Sequence, residues 1–124
     1  MTLNDVLEYF EKNYPNANVM KVPEDSPLEL ICEIDPAIAH PAYSVAIAAI
    51  SSSQPHKHAI SNEEYEVISG TILIEVDGVV RTLYSSEKIN IPPGKVHSVS
   101  SIEDYSLIKV TSQPGWTPED HILV

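Results

Sequence analysis

His56-Lys57-His58-Ala59-Ile60-Ser61-Asn62-Glu63 is the stretch on which the reading turns, together with Pro92-Pro93-Gly94-Lys95-Val96-His97 further along. Two histidines at i and i+2 of an extended segment project to the same face, so their imidazoles can meet on one ion. Glu63 opens the next extended run and can bring a carboxylate beside them. His97 enters its own run from a rigid Pro-Pro-Gly turn, which fixes its approach. Three neutral imidazoles and one carboxylate make a suitable shell for a divalent transition metal. On its own, His-x-His also describes two surface histidines in a loop, so the weight falls on what surrounds it.

Outward from this stretch the chain reads as short strands, near 44–51, 63–69, 71–77, 79–84, 88–91, 96–100 and 105–111. Asp77-Gly78 fits a two-residue hairpin turn, and Pro92-Pro93-Gly94 a tight one. Many short strands with no helix between them predict an all-β sandwich or barrel. Within 44–50, Ser44, Ala46, Ala48 and Ile50 alternate with Val45, Ile47 and Ala49. If the even face points inward, its two alanines leave room for a cavity. Upstream, Leu28, Leu30, Cys32 and Ile34 alternate with Glu29, Ile31 and Glu33, another strand period, with Cys32 expected as a small buried hydrophobe. Residues 2–13 read as a short α-helix. Leu3, Val6, Leu7 and Phe10 form one apolar stripe, Thr2 caps the start and Pro15 prevents continuation. A helix this short must dock, as a lid or a flank on the main domain.

The spacing His56-x-His58-(x)4-Glu63-(x)6-Gly70, followed by Pro92-x-Gly94-x-x-His97, resembles the two motifs of the cupin superfamily, in particular its small single-domain metal-binding members. The resemblance spans about residues 44–111. It implies a double-stranded β-helix, or jelly-roll, barrel with a short N-terminal helix, and it implies His56, His58, Glu63 and His97 as metal ligands. Three turn positions depart from the pattern: Ile50 replaces the opening glycine of the first motif, Ser86-Glu87 the Gly-Asp of the second, and Ser101 its closing asparagine. A weaker resemblance, to the tail of small mannose-6-phosphate isomerase-type cupins, lies in Ser106–Thr111, Pro114-Gly115-Trp116 and Glu119-Asp120-His121-Ile122; it hints at a sugar-like ligand. The organisation expected is one structural domain, with residues 1–43 as helix and edge strand flanking a barrel and tail over 44–124.

Other polar residues are weaker candidates. Tyr65 shares a strand face with Glu63, so its hydroxyl can reach the pocket as a candidate catalytic group, or it is a core tyrosine with its hydroxyl satisfied. Lys57, Glu64 and Glu66 are expected to face away from the ion. His40 and His121 are read as structural or surface residues, and Trp116 as packing against the barrel or a partner subunit. Thr117-Pro118-Glu119-Asp120 has a helix start with too few residues to continue it.

The chain has 124 residues, enough for one domain, and a formal net charge of −11. Such a charge repels phosphate backbones and anionic lipid, so neither nucleic acid nor a membrane surface is an expected partner. No apolar run approaches the ~20 residues that span a bilayer. The single cysteine allows no internal disulfide, and Met1–Asp5 lacks a basic-then-apolar start, so a cytoplasmic protein is expected. Open sheet edges and base rates favour a homodimer, to which residues before 44 could lend a strand.

The expected cofactor is one divalent transition ion (Fe, Mn, Zn or Ni). The site's charge of about +1 with such an ion favours an anionic or hydroxyl-bearing ligand. With iron the chemistry is that of a dioxygenase; with zinc, manganese or nickel it is Lewis-acid isomerisation or epimerisation of a small polar or sugar-like molecule. A non-catalytic sugar- or carboxylate-binding module with a structural metal is the alternative. No dedicated base beyond Tyr65 and Glu63 is evident, which counts against elaborate acid–base chemistry.

Overall fold

The computed structural model describes all residues, 1–124. Its elements follow the chain as α1 (Leu3–Asn13), β1 (Asn18–Val22), β2 (Glu29–Asp35), β3 (Ser44–Ile50), β4 (His56–Lys57), β5 (Asn62–Ser69), β6 (Ile72–Val76), β7 (Val79–Leu83), β8 (Lys88–Ile91), β9 (His97–Ser101), β10 (Ser106–Gln113), a 3-10 turn η1 (Pro118–Asp120) and β11 (Ile122–Leu123). Two antiparallel sheets result, β1-β2-β3-β10-β5-β8 and β11-β4-β9-β6-β7. The expected all-β barrel with one N-terminal helix is therefore present. No helix is long and apolar enough to cross a membrane.

Local chemistry explains the joints. Thr2 Oγ1 accepts from Asp5 N–H at 3.2 Å, and the Asp5 carboxylate accepts from Thr2 N–H at 2.9 Å, a reciprocal cap on α1. Asp77 and Gly78 both have positive φ, 48° and 84°, as a tight hairpin between β6 and β7 requires. Ser86 stands where the resemblance expected glycine, and it keeps the left-handed backbone at φ 75°. The Glu87 carboxylate, where the pattern has aspartate, accepts from Tyr84 N–H at 2.7 Å.

Apolar residues divide between the two faces of the larger sheet. On its inner side Val67, Ile91 and Ile108 meet Ile72, Ile74, Leu83 and Val99 of the second sheet. On its outer side Val6 and Phe10 of α1 cover Leu30, Cys32, Ile47, Ala49, Tyr105 and Leu107. The helix is thus a flank on the convex face, not a lid. Of its stripe, Val6 and Phe10 are buried and Leu7 is left exposed. Because α1 sits outside, the apolar face of β2 turns toward the helix, and its other face, with Glu29, Ile31 and Glu33, turns toward the barrel interior. β1, β4 and β11 have no counterpart in the sequence expectations. Two of them are two-residue strands, too short to carry a period, and β1 pairs β2 along the margin of this chain's own sheet.

Candidate metal centre and its cavity

His56 on β4 pairs directly with His97 at the start of β9. His58 follows two residues on, and Glu63 enters from β5. The four potential ligand atoms all lie within 4.8 Å of one another. All four side chains are buried, none more than 6% exposed. The resemblance therefore names residues that the fold brings to one point.

The orientation of the rings is set by the backbone. Nδ1 of His56 lies 2.8 Å from Gln54 O, that of His58 2.9 Å from Asp120 O, and that of His97 2.9 Å from Lys95 O. A carbonyl can only accept, so each Nδ1 carries a proton and each Nε2 is left free to ligate. The Nε2 atoms of His58 and His97 are buried with no hydrogen-bond partner. They stand 3.0 and 3.4 Å from Glu63 Oε1, close enough for electrostatic attraction but not aligned as hydrogen bonds. Buried polar atoms without partners are costly, and a cation between them and the carboxylate would relieve that cost. The donor set of three imidazole nitrogens and one carboxylate fits a divalent transition ion.

The electrostatics of His56 and Glu63 agree with that use. Burial pushes His56 down to about 4, so it is neutral at physiological pH. Burial also acts to lower His58, but the adjoining Glu63 carboxylate outweighs it and the net direction is up. Burial acts to raise Glu63, yet the His58 and His97 imidazoles overcome it and hold the carboxyl well below the usual range. Glu63 is therefore an anion ready to balance a cation. Its second oxygen accepts from Ser112 Oγ at 3.0 Å, and Tyr65 Oη lies 3.4 Å from the first.

The turns hold this geometry. Gly94 N–H, in the Pro-Pro-Gly turn at φ 82°, donates to His58 O at 2.7 Å and so couples the two motifs. The His58–Glu63 loop is also gripped from the end of the chain. The Asp120 carboxylate accepts from the N–H groups of Ala59, Ile60 and Ser61, while its own carbonyl receives His58 Nδ1–H.

A cavity of about 370 Å³ lies against the cluster. Ser44, Ala46, Ala48 and Ile50 line it, so the small even face of β3 does point inward. Tyr65 lines it too, buried, with its hydroxyl donating to Glu63 Oε1 at 3.4 Å. Burial, reinforced by the Glu63 and Glu29 carboxylates, drives its phenol well above the usual tyrosine range. Lys57, Glu64 and Glu66 are outside the lining, as expected.

His121 is exposed, as a surface residue is expected to be, yet its ring stacks on His56 at 4.5 Å between centroids and lines the cavity. β11 pairs with β4, which brings the tail to the site. Trp116 packs into the cavity wall, edge-on to His121. Glu29 and Glu33 of β2 face the same cavity, two carboxylates that the sequence reading did not bring there. His40, by contrast, is structural: it pairs with Asp35 and stacks on Tyr43. Glu29 carried no local signal of this place, and the tail resemblance that includes Asp120 and His121 did not put them at the ligand cluster, since each reaches the site from a distant stretch of chain.

No protein-family profile matches this chain, and no curated protein sequence matches it. Solved structures do. Pac13 of Streptomyces, a nucleoside dehydratase, has a TM-score of 0.75 over 89% of this chain and 86% of that one, at 13% identity. KdgF from Halomonas sp. has a TM-score of 0.69 over 82% and 91%, at 16% identity. A variant of Bacillus subtilis oxalate decarboxylase has a TM-score of 0.74 over 90% of this chain, which spans 31% of that protein, at 10% identity. These neighbours are cupin-fold proteins, so the fold implied by the two motifs is the fold of this chain.

Proposed function

We propose that this cupin-fold protein is a metal-dependent enzyme that carries out acid–base chemistry, of the isomerase or epimerase kind, on a small oxygen-bearing molecule. One observation carries the reading: three imidazoles with Nδ1 tied to backbone carbonyls aim their Nε2 atoms, with the Glu63 carboxylate, at the edge of a cavity large enough for a ligand. His56, His58, Glu63 and His97 would hold a divalent transition ion. Such an ion supplies Lewis acidity, polarising a carbonyl or hydroxyl oxygen. The residues around it do the remaining work. Ser112 and Tyr65 orient the Glu63 carboxylate, and the apolar walls exclude water.

Acid–base chemistry is favoured over an oxygenase by the titratable side chains that share the cavity, Tyr65, Glu29 and His121 among them. The reading is compatible with Pac13, a dehydratase of similar fold with variants solved with uridine, since dehydration is itself a proton-transfer reaction. The alternative, a non-catalytic binding module, draws on the mainly apolar lining, which offers few groups to a sugar. The protein is read as cytoplasmic, with a homodimer as its working assembly, which sedimentation at two concentrations would reveal.

Elemental analysis of tag-free protein prepared without chelator tests the central claim. About one equivalent of metal is expected for a single four-ligand centre, and His58→Ala should abolish it. A wild type that takes up no metal after reconstitution with Fe, Mn, Zn or Ni would falsify the reading.

A further inference from the structure

Glu29 begins β2 and faces the cavity between two apolar cross-strand neighbours, Val22 of β1 and Ile50 of β3. Its carboxyl makes no hydrogen bond and no ion pair. A carboxyl sheltered among apolar groups with no partner costs stability, and a structural role would have supplied one. Glu33, on the same face, is shared with an outer groove beside Tyr14 and Pro36. Both line the inner cavity, but only Glu29 does so without also lining that groove, and it is close enough to Tyr65 to perturb its phenol.

The charge of the lining is equally specific. None of the seven lysines and arginines of the chain reaches the cavity, whereas Glu29, Glu33 and Glu63 do. A divalent ion adds two positive charges against three carboxylates, so the walls are not net positive even when it is bound. A phosphorylated or multiply anionic substrate would meet no cationic side chain and several anions. Of the anionic or hydroxyl-bearing ligands expected, this favours the hydroxyl-bearing kind.

We propose that Glu29 is the proton-transfer residue of this cavity, and that its substrate is an uncharged hydroxyl- or carbonyl-bearing molecule without phosphate. The inference rests on the metal-dependent acid–base reading above. The Glu29 carboxylate takes a proton from the carbon beside a carbonyl. The electron pair of that C–H bond becomes the C–C π bond of an enolate, and the carbonyl π pair moves onto oxygen. Glu29, now a carboxylic acid, returns the proton to carbon, so no oxidant or reductant is needed. Burial alone raises its carboxyl to about 7, which suits a group that must both accept and release a proton near neutrality. The other titratable groups facing this space are Glu33 on its own strand, Glu63 and Tyr65 from β5, His56 and His58 at the cluster, and His121 from the tail.

The test uses protein reconstituted with zinc, which is diamagnetic, and dihydroxyacetone as probe in D2O. Proton NMR follows loss of the carbon-bound protons, with dihydroxyacetone phosphate as the charged counterpart. Wild type should exchange dihydroxyacetone at least ~10-fold faster than its phosphate. Glu29→Gln should lower the rate by ~100-fold or more, the usual contribution of a general base, while holding zinc as wild type does. Glu29→Asp should recover part of the rate. Glu64→Gln, on the outer face, should change nothing. Equal exchange by Glu29→Gln, preference for the phosphate, or no exchange by zinc-loaded wild type would each overturn this proposal and leave the metal site standing. Failure to take up any of the four candidate metals would instead remove the metal-dependent reading, and this proposal with it.

Discussion

Replacing Asp120 with alanine should damage a metal site in which Asp120 is not a ligand. Its carboxylate spans three consecutive donors: Oδ1 accepts from Ala59 N–H at 2.8 Å and Ile60 N–H at 3.1 Å, and Oδ2 from Ser61 N–H at 2.9 Å. Hydrogen bonds contribute about 0.5–1.5 kcal/mol each and more to a fully desolvated charge, and partial solvent access with a shared donor places these three near ~1 kcal/mol each. A loss of about 3 kcal/mol follows for Asp120→Ala, which for a domain of this length lowers Tm by about 10–15 °C. His58 should also lose its fixed position, because the Asp120 carbonyl that orients its ring sits in the same turn. Metal affinity should fall about 10- to 100-fold, the usual effect of removing an outer support. Calorimetry of the metal-free protein and competition against a chelator measure the two effects separately.

The sign of the pH effect is determined as well. Burial acts to raise the Asp120 carboxyl, but the three N–H donors outweigh it and the net direction is down. Its contribution is therefore complete above the ordinary aspartate value of 3.8 and is lost as pH falls through the lowered one. The gap between wild type and Asp120→Asn should be full at neutral pH and close in acid. An Asp120→Ala protein that melts within about 2 °C of wild type and keeps its metal affinity would refute the claim that the tail holds the first motif in place.

Glu29 predicts the opposite pH dependence. Its raised value means the folded state holds a proton that the unfolded chain releases, so the stabilisation is present below the ordinary glutamate value of 4.5 and lost as pH rises to about 7. Glu29→Gln should match wild type in acid and exceed it at pH ~8 by about 1–3 kcal/mol, read from urea midpoints; identical midpoints across that range would count against burial of this carboxyl. Gly70→Ala should cost about 2–4 kcal/mol, because Gly70 sits at φ 95° and an added methyl would collide with the Ser106 hydroxyl, which neighbouring Ser101 also holds; an unchanged melting curve would contradict it. Ala46→Leu should fill the cavity while the protein keeps its fold and its metal, so binding of any small ligand should disappear from calorimetric titration without loss of metal content.

Much of the site was legible because its determinants are local. His56 and His58 share a face by strand period, Pro92-Pro93-Gly94 forces the turn before His97, and Asp77-Gly78 closes a hairpin without outside help. The even face of β3 could be read for the same reason: alternation separates two sides of a strand. What alternation does not tell is which side faces the interior of a barrel covered on both surfaces. In β2 the apolar side went to the helix, and the glutamates went to the cavity.

The sequence by itself thus determined most of the strands and their turns, because spacing and backbone chemistry act over a few residues, and its resemblance to cupins supplied the candidate ligand set. Only the tertiary structure decided which groups surround those ligands. Asp120 and His121 arrive beside a two-residue strand pairing β4, and Glu29 through the pairing of β2 with β3. None of these three is near the motifs in the chain, and each owes its chemistry to burial or to donors supplied by other segments. A carboxyl is an ordinary surface group until the fold removes its water, and that removal is a property of the packed whole.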